Sequence, residues 1–146
     1  MIQKIIWWLG LSIASSICYR IGGWKKGNKL IRRLGCSLLA LGLFLGLQGF
    51  NLRYWWIYCL FLILNYAALS TYHDYVGFDC WPLTGWFYGL AAIPLLWCGV
   101  AFWAIIGRAI FLALTIWWLR ERTGKDWLEE MGSGFLYCGS IPILLL

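Results

Sequence analysis

Acidic residues are scarce in this chain: six Asp and Glu stand against twelve Lys and Arg, for a net charge of +6. Charge of either sign is also low, at 12% of residues against 62% hydrophobic, where a soluble domain carries about 25% charge. With a mean hydropathy of +0.74, these scarcities exclude an ordinary water-soluble core. There is one histidine, His73, which excludes the lipid-phosphatase chemistry that needs two. The six cysteines lie singly, with no CxxC and no Cys/His pairing, so a zinc site is excluded by spacing and each thiol reads as a small hydrophobe. No metal and no cofactor is expected. The phosphate-binding GxxxxGK[ST], the zincin HExxH and the esterase GxSxG are all missing, and in the acyltransferase frame HxxxxD, Phe78 stands where the Asp belongs.

What is present is long apolar runs, 12 Trp and 8 Tyr, residues whose amphipathic rings favour the headgroup level of a bilayer. The run Tyr19 to Ser37 carries Arg20, Lys25, Lys26, Lys29, Arg32 and Arg33 with no acid, between two apolar stretches. Such a loop is retained on the cytoplasmic side. The same placement accounts for the net charge through orientation and anionic headgroups, without nucleic acid.

Apolar segments are predicted at Ile2 to Tyr19, Leu34 to Phe50 and Tyr54 to about Thr71, with Asn51-Leu52-Arg53 as a tight turn. From Leu83 to Leu119 only Arg108 is charged, and a single helix there would extend about 55 Å, beyond one bilayer. The run must double back, and Cys98-Gly99-Val100 is the best break, with Pro94 ending or kinking the first arm. Trp127 to Leu146 forms the last segment. The fold class is therefore an all-α, polytopic transmembrane helical bundle of about six spans, with five as the alternative, forming one integral membrane domain over 1–146. Six spans gather the basic loop, the His73 loop and the Arg120 link on one side and leave Lys4 and Arg53 on the other. Both termini are then expected outside the cytoplasm.

Polar groups among these segments are the candidate sites. Arg108 stands inside a span, where a cation needs a partner or a wet cavity. The candidate anions are Glu129, Glu130, Asp74 and Asp79, and the alternatives are a ligand site or a structural ion pair between the last two helices. His73 beside Asp74 is material for a general base, with Arg20, Arg32 or Arg33 holding a phosphate; the plainer reading is a solvated interface histidine. Glu129 and Glu130 also suit the positive end of a helix without any chemistry. The catalytic candidates are thus His73, Asp74 and Glu130, and the ligand-binding candidates Arg20, Arg32, Arg33, Arg108, Asp79 and Glu129. Asn65, an amide within a span, needs a partner of its own. Gly42 and Gly46 form a GxxxG, readable as a packing face within the chain or as a homo-oligomer contact.

The stretches YRIGG (19 to 23), RRLGCS (32 to 37), LSTYHD (69 to 74), LTGWFYGLAAIP (83 to 94) and WLEEMGSG (127 to 134) together resemble a group of uncharacterised small polytopic membrane proteins encoded by bacteriophages and prophages. The resemblance implies a bacterial inner-membrane location and supplies no activity. Three functions remain open. The first is a non-enzymatic membrane protein binding an anionic lipid or solute, or a host membrane protein, at its cytoplasmic side. The second is a membrane-embedded enzyme of acyl or phosphoryl transfer. The third is a holin-like pore, small channel or transporter.

Overall fold

The computed structural model describes residues 1–22, 29–71, 81–123 and 126–145. Six α-helices follow one another: α1 (Ile2–Ile21), α2 (Cys36–Gln48), α3 (Trp55–Thr71), α4 (Trp81–Leu90), α5 (Phe102–Thr123) and α6 (Asp126–Gly139). No strand occurs among the described residues. Three helical stretches, Ile31–Gln48, Leu52–Ser70 and Phe102–Arg122, are long and apolar enough to cross a membrane, and Gly85–Cys98 is a shorter apolar one.

The doubling back falls where the sequence places it. Gly99 takes a left-handed φ of +90° after the 3-10 turn Ile93–Cys98, a conformation that costs a residue without Cβ little. Three boundaries differ from expectation. Arg32 and Arg33 are not loop residues: helix resumes at Lys29 and passes through a π-helical turn, Ile31–Gly35, into α2. Nothing after Asn28 in the sequence interrupts a helix. Helix α5 runs on to Thr123, so Arg120 and Arg122 lie on its last turns. Finally, the last apolar segment is split, with α6 ending at Gly139 and a 3-10 turn, Ile141–Leu145, following. Pro142 explains the split, because it has no N–H for the Cys138 carbonyl and its ring crowds that turn.

Polar and apolar residues are distributed the opposite way to a water-soluble protein. Helix α1 buries Ser12, Ser15, Ser16 and Tyr19 and exposes Ile2, Ile5, Ile6, Ile13 and Ile17. Helix α5 turns Phe102, Trp103, Ile110, Leu114 and Trp118 outward while Arg108 is fully enclosed. An apolar surface around a core holding serines, Asn65 and two arginines suits a solvent of hydrocarbon, where polar groups must be satisfied internally. Exposed Trp7, Trp55, Trp56, Trp97 and Trp103 lie toward one end of the bundle and Trp117, Trp118 and Trp127 toward the other.

Small residues set the helix spacing. Gly85 and Gly89 of α4 face Ala113 and Ala109 of α5 so closely that a Cβ on either glycine would overlap the α5 backbone. On α6, a Cβ on Gly134 would sit 2.8 Å from the Ser15 carbonyl oxygen, and the serines of α1 use that proximity. Ser15 Oγ donates to Gly134 O at 2.9 Å and Ser16 Oγ to Met131 O at 2.7 Å. The Gly42/Gly46 face is covered within the chain: Trp7 of α1 donates Nε1–H to Gly42 O at 3.2 Å, and its indole fills the space above Gly46. A second copy would have to displace that ring.

Replacing Gly89 by Leu should force α4 off α5 and cost at least the 1–3 kcal/mol typical of overpacking, roughly. The same change at Gly10, where no atom lies within 4 Å of an added Cβ, should leave stability almost unchanged. Thermal unfolding in detergent reads both.

Candidate functional site

Helices α4 and α6 end in the same way. The last α-type bond of α4 runs from Ala91 N–H to Phe87 O, and the corresponding bond after α6 from Ser140 N–H to Leu136 O. The next carbonyl in each, Tyr88 O and Tyr137 O, lies beyond the last such bond, where a helix supplies no further donor of its own. In water such a group is solvated; inside an apolar bundle it needs a donor from the protein.

Arg108 of α5 supplies both. Its Nη1 donates to Tyr88 O at 3.1 Å and its Nη2 to Tyr137 O at 2.8 Å, while Nε donates to Ser140 Oγ at 2.9 Å. Its guanidinium also lies 5.5 Å from the Tyr137 ring centre, which stacks edge-on with Tyr88 at 5.1 Å. Of the expected carboxylate partners, the two that are described are engaged elsewhere: Glu130 accepts from Arg20 at 2.6 Å and Glu129 pairs with Arg120 at 3.9 Å. Tyr137 is seven residues beyond Glu130, so helix rise alone separates the two levels by about 10 Å. The positive charge is met instead by two helix C-termini, each equivalent to roughly half a negative charge. This makes Arg108 a structural clamp of three helices, with all three nitrogens engaged by neutral acceptors.

The clamp extends into a buried network. Asn65 of α3 donates to Ala91 O, another carbonyl past the end of α4, at 3.3 Å, and to Phe61 O at 2.8 Å. Its carbonyl accepts the Tyr137 hydroxyl proton, and Tyr19 OH meets Tyr88 OH at 2.9 Å. The partner that Asn65 requires is therefore the same pair of helix ends.

The remaining cations among the described residues gather at the opposite end of the helices from Lys4 and Arg53. Arg20 lies in the last turn of α1, half-exposed and bonded to the nearly buried Glu130 of α6. Arg33 lies 5.9 Å from the Tyr66 ring centre, and its carbonyl accepts from Ser37 Oγ at 2.6 Å. Arg32 is wholly buried. Its Nη1 donates to Gly22 O at 3.1 Å and its charge lies 5.9 Å from the Tyr19 ring centre, but Nε and Nη2 meet no hydrogen-bond acceptor among the described residues. His73, Asp74 and Asp79 lie outside the described residues. Among the candidates that are described, Arg20 and Glu130 come together, Glu129 meets Arg120, and Arg108 stands apart with Tyr88, Tyr137 and Ser140.

No protein family matches the chain, and no curated protein or solved structure matches it. Roles must therefore be argued from these contacts alone. No group of three His, Cys, Asp or Glu converges among the described residues. Away from the basic end, a groove of about 450 Å³ is lined by Lys4, Ile5, Trp8, Leu47 and Pro142 among others and is almost wholly apolar.

Sequence reasoning missed Tyr88, Tyr137 and Ser140. A signal was available: Tyr88 and Tyr137 each precede an Ile-Pro pair, Ile93-Pro94 and Ile141-Pro142, by a few residues, and both pairs mark a helix that stops inside an apolar run. Substituting Asn65 by Leu removes a donor and an acceptor of this network, and should cost about 1–3 kcal/mol for each group left unmet. Denaturant or thermal unfolding checks it, with Ile63→Leu, at an exposed position of the same helix, as the neutral comparison.

Proposed function

We propose that this chain is a multi-pass protein of the bacterial inner membrane, of the phage-encoded kind its sequence resembles, that binds an anionic lipid or solute at a basic cytoplasmic end without catalysing a reaction. In this reading all six helical segments lie across or within the bilayer, with both termini outside the cytoplasm. The short helices α4 and α6 complete their crossings through the 3-10 turns that follow them.

One observation carries the reading: cations outnumber available acids at one end. Arg20, Lys29, Arg32, Arg33, Arg120 and Arg122 gather there, and two of the described acids, Glu129 and Glu130, are already engaged with Arg120 and Arg20. Clusters of Lys and Arg at the cytoplasmic face attract anionic headgroups by about 1 kcal/mol per residue. The enzymatic alternative is less well supported, because Glu130 is held by Arg20 at 2.6 Å and Arg108 is taken up by helix carbonyls.

The test is thermal unfolding of the purified protein with added phosphatidylglycerol or phosphatidylcholine. Phosphatidylglycerol should raise the unfolding temperature and phosphatidylcholine should not, with the difference shrinking as salt screens it. Equal responses to the two lipids would refute the reading.

A further inference from the structure

We infer that Arg32 is a specific receptor for one phosphate group, held in two hydrogen bonds by the buried, unpaired Nε and Nη2 edge of its guanidinium. The inference rests on the anion-binding reading above and narrows it to one side chain and one ligand class.

The argument begins with the two buried arginines. Both are wholly enclosed. Arg108 has an acceptor for every nitrogen, whereas Arg32 has one only for Nη1, at Gly22 O. Burying guanidinium donors with no acceptor is costly, and native chains rarely leave such groups unmet without a purpose. The unmet pair is also a particular one. Nε–H and the Nη2 hydrogen on the same side of the guanidinium point in parallel, forming the fork that takes two oxygens of a phosphate or carboxylate.

The surroundings hold that fork in place. The bond from Nη1 to Gly22 O fixes the plane of the group, and a Cβ added to Gly22 would overlap the Arg32 side chain, so the end of α1 and the start of α2 are closed on one another through it. Tyr19 lies beside the charge at 5.9 Å. Arg32 also sits in the π-helical turn Ile31–Gly35, a local widening of the helix that is found frequently at functional sites. With Glu130 and Glu129 held by Arg20 and Arg120, an oxyanion from outside the chain is the complementary group. Phosphate is favoured over a carboxylate because Arg20 and Arg33 at the same end add positive charge for a group that carries more than one negative oxygen.

The phosphate could belong to a lipid headgroup or to a soluble phosphorylated compound, and the test separates them. Unfolding temperature is followed for the wild type, Arg32→Lys and Arg53→Gln while inorganic phosphate, at constant ionic strength against chloride, or phosphatidylglycerol is titrated. Arg53 lies at the other end and serves as the control. The wild type and Arg53→Gln should be stabilised, and Arg32→Lys, which keeps the charge but not the fork, should need about tenfold more phosphate or lipid, the factor for losing one such hydrogen bond. A response to inorganic phosphate marks a soluble ligand, and a response to the lipid alone marks the headgroup. Should Arg32→Lys fail to fold, phenylglyoxal modification of Arg32 in the wild type, read by mass spectrometry, should slow when phosphate or phosphatidylglycerol is present.

Three results would overturn the inference in distinguishable ways. Equal lipid stabilisation of the wild type and Arg32→Lys removes the Arg32 site and leaves the general anionic-lipid reading standing. No response of the wild type to either phosphate or phosphatidylglycerol removes both. A phosphate response that appears only in Asp74→Asn or Asp79→Asn would mean that a carboxylate of the chain itself fills the fork.

Discussion

A helix that stops within an apolar layer exposes carbonyls that neither water nor a neighbouring strand can satisfy, and the bundle is arranged around that constraint. Helices α4 and α6 both stop short, before Pro94 and Pro142, and a carbonyl from the end of each converges on the guanidinium of Arg108. A buried cation is normally stabilised by a carboxylate and is otherwise expensive. Here the negative ends of two helix dipoles take that place. The arrangement answers two problems at once, since the cation needs negative potential and the carbonyls need donors. Asn65 donates to Ala91 O, and Ser140 Oγ gives Tyr137 O a second donor.

The rest of the architecture follows from bringing those ends together. Tyr88 and Tyr137 can approach Arg108 only if α4 lies against α5 at near backbone contact, which Gly85 and Gly89 permit opposite Ala113 and Ala109. Helix α6 is held in turn by the serines of α1 against Met131 and Gly134. Small and polar residues thus join large apolar ones such as Phe44, Phe61 and Ile105 in the core, while the surface of the helices is also largely apolar. In lipid, where burial of apolar surface gives little driving force between helices, close packing and internal hydrogen bonds are what remain to hold a bundle together. The two buried arginines differ within this scheme: Arg108 completes the scaffold, and Arg32 keeps one edge unspent.

Much of the helical order was legible in the sequence. The reversal at Gly99 followed from the length of the run after Pro82, and the need for partners at Arg108 and Asn65 followed from their setting. The identity of the partners did not follow. Pairing Arg108 with Glu129 or Glu130 assumes that a cation seeks an anion side chain, and a sequence displays side chains only; the carbonyls that Arg108 uses are backbone groups freed by helix ends. The two Ile-Pro pairs mark those ends, but their meaning depends on where in the bundle each helix stops. Gly42 and Gly46 stood out as a motif, yet Gly46 meets the Trp7 indole, and the glycines that meet the backbone of a neighbouring helix are Gly85, Gly89 and Gly134, because the neighbour's small residues, and not the spacing alone, decide how near two backbones come. Arg32 looked like one more loop cation until the π-helical turn placed it inside.

The most direct test of the clamp is chemical rescue of Arg108→Ala with free guanidinium ion. The variant should be less stable than the wild type by roughly 3 kcal/mol or more, given the loss of three buried hydrogen bonds from a charged group. Guanidinium at sub-denaturing concentration should raise its unfolding temperature relative to equal sodium chloride, while lowering that of the wild type. If Arg108→Ala is as stable as the wild type, or if guanidinium lowers both alike, the helix ends do not depend on Arg108 and the account of the fold fails.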